Sequence, residues 1–387
     1  MSQTSEHTTP DTPPPDPDDT TATPPGKAWR RLLAMAAITG VIVLLAIQAG
    51  SFPAVVFVFA IVASVTLHEA GHYLVAKKTG MKATEFFFGF GPRLWSFRRG
   101  ETEYGIKAIP AGGYVKVLGM STMEQGIDPA DESRTYRAQS YPKRVALAAA
   151  GVLTQFVIAF ILLVFLWTVV GVPVGRPTLE VGSISRLDSG PSPAQSAGFK
   201  VGDKIVSVDG RPADRWQDLP PYIRERPNQP ITFVVERNGE QVTLVATPAA
   251  TNPDGEPVGF VGIGPEPEVE TANPVTAVGR SASDLWGLTQ GSVKALGAFV
   301  SPSALEDYGN QLSGEPSSPV TDETRPVSVV GVVRIADQAA DRGMFEFLSI
   351  LVLLNVFLGV LNLVPLLPLD GGHIAVATYE RLRSRKG

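Results

Sequence analysis

Long stretches without a charged side chain divide the chain into apolar and polar segments. The first stretch carries no charge from Leu32 to Leu67, and the sequence Gly50-Ser51-Phe52-Pro53 interrupts it. A single helix crosses a bilayer with about 20 residues, so one span is too short to account for this stretch. The pattern therefore predicts two helices, near residues 32–49 and 54–76.

Two later stretches have the same character. Residues 145–171 and 347–369 carry no charge and are mostly apolar, and Pro365 and Pro368 interrupt the second near its end. Buried helices of soluble proteins typically have apolar runs of about 10–14 residues, which these stretches exceed. The predicted fold class is therefore a polytopic α-helical membrane protein with about four spans.

The segment between the third and fourth stretches has a different period. In residues 178–265, apolar and polar positions alternate and Asp-Gly, Asn-Gly and Gly-Asp pairs mark turns, which predicts a small β-rich domain. Residues 266–342 are predicted to be a linking region. Within it, Asp284–Val300 has the pattern of an amphipathic helix, either at a membrane surface or packed on protein, and residues 309–326 are predicted to be a loop.

Composition excludes several classes of function. The chain has 387 residues, a formal net charge of −5 and no cysteine, so it contains neither a disulfide nor a thiol nucleophile. The mildly acidic balance gives no indication of nucleic-acid binding. Residues 1–26 are rich in proline and acids and contain no lysine or arginine, which predicts a disordered tail.

Basic residues beside the predicted spans indicate their orientation. Lys27, Arg30 and Arg31 precede the first span, residues 77–144 and the C-terminus are basic, and acids outnumber bases in residues 172–342. Short loops rich in lysine and arginine remain in the cytoplasm. We therefore expect both termini and residues 77–144 to be cytoplasmic, and residues 172–342 to be extracytoplasmic.

The sequence His68-Glu69-Ala70-Gly71-His72 stands near the end of the second predicted helix. Residues four apart share one face of a helix, so His68 and His72 can bind one Zn²⁺ while Glu69 takes a proton from a water that zinc activates. The alternative is two partly buried histidines that are only hydrogen-bonded. Ionisable groups inside membrane segments are seldom without function, which favours the metal site.

A catalytic zinc usually has three protein ligands, so one more is required. Asp370 follows the fourth apolar stretch, and the predicted topology brings the ends of spans two and four to the same side of the membrane. A metal would offset the cost of placing a carboxylate there. His373 is a rival third ligand, and Asp370 could instead be a turn residue of its Asp-Gly-Gly sequence.

The order of these motifs resembles that of bacterial site-2 proteases, which are intramembrane zinc metalloproteases of the plasma membrane. The similarity is greatest to the actinobacterial members that act in regulated intramembrane proteolysis. It extends from about residue 54 to residue 380 and rests on the motifs HEAGH, GFGPRLW, YGIKAIPAGGYVKVLGM, AAAGVLTQF, PVSVVG and NLVPLLPLDGGH. The resemblance implies a re-entrant β-hairpin after the second span, and an extracytoplasmic PDZ-like domain over residues 178–265.

The resemblance also implies roles for single residues. In the family, the two histidines of the first motif and the aspartate of the last one bind zinc, which here are His68, His72 and Asp370. The glutamate of the first motif is the catalytic base, here Glu69.

Substrate-binding residues are implied in the same way. Asn362 matches an asparagine that helps to hold the substrate, and Gly112 and Gly113 belong to a hairpin segment that pairs with an unwound substrate strand. Without the resemblance, this segment predicts an ordinary hairpin equally well.

The sequence departs from the family pattern in three places. Residues 151–155, GVLTQ, stand where a Gly-Pro-x-x-Asn motif is common, and residues 1–50 precede the segment with which many members begin. Members usually continue past the LDGGH motif into a further transmembrane helix, whereas this sequence ends at Gly387. The expectation is either a truncated member, or one whose last helix is dispensable or supplied by another chain.

The predicted organisation has six parts. They are a cytoplasmic tail, an additional transmembrane helix, a first part of the protease core, the PDZ-like domain, the linking region, and a second core part with a basic C-terminus, over residues 1–26, 27–50, 54–171, 178–265, 266–342 and 343–387, respectively.

The leading hypothesis is an intramembrane zinc metalloendopeptidase. Its substrate would be the transmembrane segment of a single-span protein, such as an anti-sigma factor already trimmed outside the membrane. The lipid bilayer, and a peptide end at the PDZ-like domain, are its other expected partners. The alternatives are a catalytically silent membrane scaffold that carries a PDZ domain, and a hydrolase of another membrane substrate such as a lipid.

Overall fold

The computed structural model of the protein describes residues 25–384, except for residues 122, 123, 125, 186–189, 254, 300, 302–305, 307–328 and 341. The predicted tail up to residue 24 and the predicted loop over residues 309–326 lie outside the described residues. Within them, the chain divides into two compact units, of which one is Phe165–Ala277 and the other comprises the segments on either side of it.

Helices and strands are numbered here in chain order. The helices are α1 Pro25–Gln48, α2 Phe52–Thr79, α3 Tyr141–Phe165, α4 Pro193–Ala197, α5 Leu219–Arg224, α6 Pro274–Phe299, α7 Val329–Ala340, α8 Met344–Asn362 and α9 Asp370–Arg383. The strands are β1 Ala83–Arg99, β2 Thr102–Val117, β3 Val172–Ile184, β4 Lys204–Val208, β5 Arg211–Pro212, β6 Ile231–Arg237, β7 Glu240–Ala246 and β8 Ile263–Glu270.

Four of the described helical segments are long and apolar enough to cross a membrane by length and composition. They are Trp29–Gln48 within α1, Phe52–Thr79, Tyr141–Val170 and Met344–Asn362, and they overlap the four predicted apolar runs. The third consists of α3 and the π-helical turn Leu166–Val170 that follows it. The fourth ends at Asn362 rather than near residue 369. A proline disfavours the helical conformation of the residue before it, and its own nitrogen has no hydrogen to donate to a helix. The chain therefore turns at Pro365 and Pro368 instead of continuing the helix.

Helix α2 is the central element of the helical unit. Gly80 ends it in a left-handed conformation with φ of 81°, and Lys77 and Lys78 lie in its last turn, where cations favour the negative end of the helix dipole. A core around Phe57, Ala336 and Leu351 packs α2 against α7 and α8. The helix that carries the predicted histidines is thereby held on its other turns by apolar packing.

A two-stranded antiparallel sheet of β1 and β2 follows α2 at the position predicted for a hairpin. Glu101 lies in its turn and accepts hydrogen bonds from Arg134 at 2.9 Å and from Lys77 at 2.5 Å. The bond from Arg134, assisted by Lys77, outweighs burial and lowers the pKa of Glu101 to about 2. The hairpin turn is therefore tied to the end of α2 by a charged contact.

The β-rich unit has a five-stranded antiparallel path in the order β7-β6-β4-β3-β8, with β5 paired to β4. Its core is built from the inward positions of these strands and includes Val181, Ile205, Ile231 and Phe233. Strand β3 begins at Val172 and β8 ends at Glu270, so the sheet extends past both predicted limits of the domain, residues 178 and 265. The period-2 pattern was weaker at these outer ends because the prolines of both strands interrupt it.

The predicted linking region over residues 266–342 contains more regular structure than expected. The end of β8, helix α6 and helix α7 lie within it. Helix α6, Pro274–Phe299, includes most of the predicted helical segment Asp284–Val300 but begins earlier, at Pro274. At its start, Asn273 accepts a hydrogen bond of 3.0 Å from the Thr276 amide.

Candidate active site

His68 and His72 lie on one face of α2, as their spacing requires, and both are buried. Their Nε2 atoms are 3.1 Å apart. Two ring nitrogens at this distance, both turned into the same space, are arranged to bind a common partner.

Asp370 is the first residue of α9, directly after the N-cap residue Leu369, and it is buried. Its Oδ2 atom is 3.3 Å from Nε2 of His68, and its Oδ1 atom is 3.3 Å from Nε2 of His72. One ligand atom from each of the three residues lies within 4.8 Å of the others. Gly371 and Gly372 allow the start of α9 to lie against the turn that precedes it, because a Cβ at either position would overlap the backbone of that turn.

The donor set fits a zinc ion. Oδ2 of Asp370 and Nδ1 of His68 are buried and make no hydrogen bond among the described residues, and Nε2 of His68, 3.3 Å from Oδ2, is itself a candidate ligand atom. A buried carboxylate oxygen without a partner is costly, whereas two imidazoles and one carboxylate are a common ligand set for catalytic zinc and leave its fourth position open.

The orientation of His72 is fixed by α3. Its Nδ1 atom is 2.8 Å from the backbone carbonyl oxygen of Leu147. A carbonyl only accepts hydrogen bonds, so Nδ1 is the donor and Nε2 presents its lone pair to the site. Metal-binding histidines commonly have such a partner, which sets both the tautomer and the ring plane.

Helix α3 approaches the two imidazoles closely at Gly151. A Cβ at this position would overlap both rings, and a Cβ at Gly71 would lie 2.8 Å from the carbonyl oxygen of Ala150. The contact of α2 with α3 therefore depends on a glycine in each helix. Neither glycine was predicted to have a role, although the run of small residues over 148–151 is a signal of close helix packing.

Glu69 is half-buried beside the histidines, and β2 holds it in place. Its Oε2 atom accepts a hydrogen bond of 3.2 Å from the backbone amide of Val115. This contact between α2 and the hairpin was also missed from sequence, because nothing local to either segment specifies it.

The predicted substrate-binding residues lie in two places. Asn362 is the last residue of α8 and is half-buried. Gly112 and Gly113 are buried in β2, where a Cβ would lie 3.0 Å from Val65 and 3.4 Å from Thr66, respectively. Gly112 therefore lets β2 pack closely on α2, one turn before Glu69, whereas the tightest contact of a Cβ at Gly113 would be with the Phe87 carbonyl oxygen of β1, at 3.1 Å. The contact of both glycines with substrate stays a prediction.

A cleft of about 590 Å³ lies beside the residues that hold Glu69 and that precede Asp370. Val115, whose amide holds Glu69, lies on one wall, and Leu367 and Pro368, which precede Asp370, lie on another. His373 also lines this cleft, and its ring is edge-on to Tyr136 with 5.9 Å between centroids. The group of possible metal ligands found in the described residues consists of His68, His72 and Asp370 and does not include His373.

Comparisons with known proteins identify relatives of this chain. The sequence profile of peptidase family M50 matches residues 56–387. The chain is 35% identical over 359 residues to the zinc metalloprotease Rip1 of Mycobacterium tuberculosis, and the match covers 85% of this chain and 86% of that protein. The corresponding protein of Mycolicibacterium smegmatis is 37% identical over 357 residues, again covering 85% of this chain and 86% of the relative.

More distant similarities extend beyond mycobacteria. A putative zinc metalloprotease of Rhizobium meliloti is 32% identical over 350 residues, covering 85% of this chain and 87% of its own. The solved PDZ domain of the SdrC-like protein of Listeria monocytogenes is 22% identical, with 24% of this chain and 90% of that chain covered and a TM-score of 0.19, which is too low to support an argument on the fold. The family profile and the curated relatives agree, and the chain therefore belongs to peptidase family M50 and is a zinc metalloendopeptidase.

Proposed function

We propose that the protein cleaves the transmembrane segment of single-span membrane proteins, with zinc held by His68, His72 and Asp370 and with Glu69 as the catalytic base. One observation carries the proposal. The three ligand atoms lie within 4.8 Å of one another in a buried site, one carboxylate oxygen there has no other partner among the described residues, and Glu69 is the adjacent acid on α2.

The residues divide the chemistry between them. Zinc bound here would lower the pKa of a water and polarise the scissile carbonyl group. The Val115 amide holds one oxygen of Glu69, and the carboxylate takes the proton of the attacking water and passes it to the nitrogen of the leaving amine. His72, oriented by the Leu147 carbonyl, and Asp370, held at the start of α9, keep the ligand geometry constant during these steps.

The cleft beside the site supports a peptide substrate. Strand β2 and the turn before α9 line it, and its walls are mostly apolar. Its charged or titratable members are Tyr114, Lys116, Glu124 and His373. An extended segment of a single-span protein matches such a wall better than a lipid does, because strand backbone binds strand backbone. An anti-sigma factor that has first been trimmed outside the membrane is the substrate class we propose.

We place the site near the cytoplasmic side of a bacterial plasma membrane. The basic segment that follows α2 and the basic C-terminus support cytoplasmic termini. The β-rich unit, which lies between α3 and α8 in sequence, would then be an extracytoplasmic PDZ-like domain that admits only trimmed substrates or binds their new ends.

The test uses the purified full chain in detergent with a single-span substrate that lacks a bulky outer domain. Wild-type protein is expected to produce one cut inside the transmembrane segment, located by mass spectrometry. Glu69→Gln should retain zinc and cleave about 10³-fold more slowly, because it keeps the side-chain shape and loses the base. Glu236→Gln, at an exposed position of β6, is the matched control and should behave as wild type.

Ligand variants test the metal assignment in the same preparation. Asp370→Asn and His72→Ala should lose zinc, whereas His373→Ala should retain it. Wild-type protein that binds zinc but cleaves no single-span substrate would favour the scaffold. Loss of zinc in His373→Ala, with zinc retained in Asp370→Asn, would identify His373 rather than Asp370 as the third ligand.

A further inference from the structure

Helix α9 contacts the start of α3 at two points far from Asp370. The hydroxyl groups of Tyr141 and Thr378 are 3.2 Å apart, and Nη1 of Arg144 donates a hydrogen bond of 2.5 Å to Oε2 of Glu380. These two contacts, here called the clasp, join the second half of α9 to the first turn of α3.

Arg144 is the less exposed partner of the ion pair in the clasp. Its side chain is 12% exposed, whereas that of Glu380 is 54% exposed. The guanidinium group lies 4.8 Å from the ring centroid of Tyr136, and this buried ring is edge-on to His373, one turn after Asp370. Arg144 thus supports α9 directly at its far end and, through Tyr136, near its beginning.

The same part of α3 also holds the histidines. Leu147, one turn after Arg144, orients His72 through its carbonyl group, and Gly151, one turn further, lies against both imidazoles. The first three turns of α3 therefore touch both elements that supply the ligand atoms. We infer that this part of α3 sets the position of Asp370 relative to the histidine pair, and that Arg144 is a positioning residue for zinc binding.

Metal geometry makes such a support necessary. Asp370 stands at the end of a 14-residue helix, and distances between a metal and its ligands tolerate changes of only about 0.2 Å. A helix of this length is roughly 20 Å long, so a small tilt, unopposed at its far end, moves the carboxylate by more than that tolerance. The inference rests on the proposed zinc site and adds a group that touches neither metal nor substrate.

The test measures zinc affinity rather than activity. Full-length wild type, Arg144→Gln, Glu380→Gln, the double variant and Arg144→Lys are titrated with a zinc chelator, and each is also loaded with Co²⁺ for its absorption spectrum. Each Gln variant should bind zinc about 10-fold more weakly, with an altered Co²⁺ spectrum, as is typical when support of a metal ligand is lost. Arg144→Lys keeps the charge and should recover most of the affinity.

The double variant separates positioning from general damage. Because Arg144 and Glu380 form one contact, the double variant should bind zinc no more weakly than Arg144→Gln does, rather than about 100-fold more weakly than wild type as independent effects would make it. Arg137→Gln removes an ion pair with Glu132 that is outside the clasp and more exposed, and is the control that should bind zinc as wild type does.

Three outcomes have distinct meanings. Unchanged zinc affinity and unchanged Co²⁺ spectra in both Arg144→Gln and Glu380→Gln would overturn the inference. The proposed function would be unaffected by that result, provided that the wild-type protein binds zinc. Failure of wild type to bind zinc would instead overturn the proposed function. If Arg144→Gln fails to fold, Glu380→Gln, changed at a half-exposed position, decides the question alone.

Discussion

At the scale of single residues, glycine determines the geometry of the candidate site as much as its ligands do. Gly151 is the position where α3 meets the rings of His68 and His72, with no room for a side chain. The histidine spacing in α2 only sets the direction of the two rings. The neighbouring helix sets the space in which they stand.

Gly151→Ala is expected to weaken zinc binding at least 10-fold and to abolish cleavage. The added methyl group would overlap both imidazoles, and relief of such overpacking typically costs about 1–3 kcal/mol. Zinc content after dialysis and cleavage of the model substrate measure the effect. Gly40→Ala, in a helix with open space around the new Cβ, is the control. Full zinc occupancy in Gly151→Ala would show that α3 can move away without consequence.

At the scale of elements, the hairpin provides the backbone hydrogen bond that holds the Glu69 carboxylate of α2. Helix α2 carries the base, but β2 holds its carboxylate through the Val115 amide. The strand reaches this position because Gly112, where a Cβ would lie 3.0 Å from Val65, allows it to approach α2 closely. The register of β2 on α2 therefore determines where Glu69 points.

Gly112→Ala is expected to lower kcat about 10-fold with zinc content unchanged. Gly112 has a φ of 130° and its Cβ would lie 3.0 Å from Val65, so the strand should shift and release Glu69. Gly100→Ala places the same methyl group at another positive φ, 64°, in the hairpin turn with open space, and controls for backbone strain. Loss of zinc, or a similar loss of activity in Gly100→Ala, would contradict this role of the strand.

At the scale of the whole molecule, the two compact units have separate cores. The β-rich unit packs around Ile231 and Phe233, whereas the ligands of the candidate zinc site belong to α2 and α9 in the helical unit. A metal that joins two helices stabilises only the unit that contains both.

Removal of zinc by a chelator is expected to abolish cleavage and to destabilise the helical unit alone. A ligand present at 1,000 times its dissociation constant contributes about 4 kcal/mol, and that contribution is lost with the metal. Hydrogen exchange measured by mass spectrometry should become faster in α9 and remain unchanged in β6. Equal acceleration in both elements, or none in α9, would argue against a zinc site formed by α2 and α9.

Local pattern was sufficient for much of this protein. Runs of apolar residues predicted the four described helical segments that are long and apolar enough to cross a membrane, because length and hydropathy are properties of a segment by itself. Alternation predicted the β-rich domain, and the i, i+4 spacing placed His68 and His72 on one face. The sequence could not predict that α8 ends at Asn362, or the full extent of β3 and β8. Prolines lie near these ends, and they interrupt the apolar run or the alternation from which each element was predicted.

Contacts between distant segments were decided only in the tertiary structure. The meeting of Asp370 with the histidines was anticipated from topology and motif order, but its distances, the Leu147 carbonyl behind His72 and the Val115 amide on Glu69 were not. Each of these contacts joins residues on different elements, so no local period records it. By itself, the sequence determined which groups are available for zinc chemistry, whereas the packing of α2, α3, α9 and the hairpin determined how they are brought together.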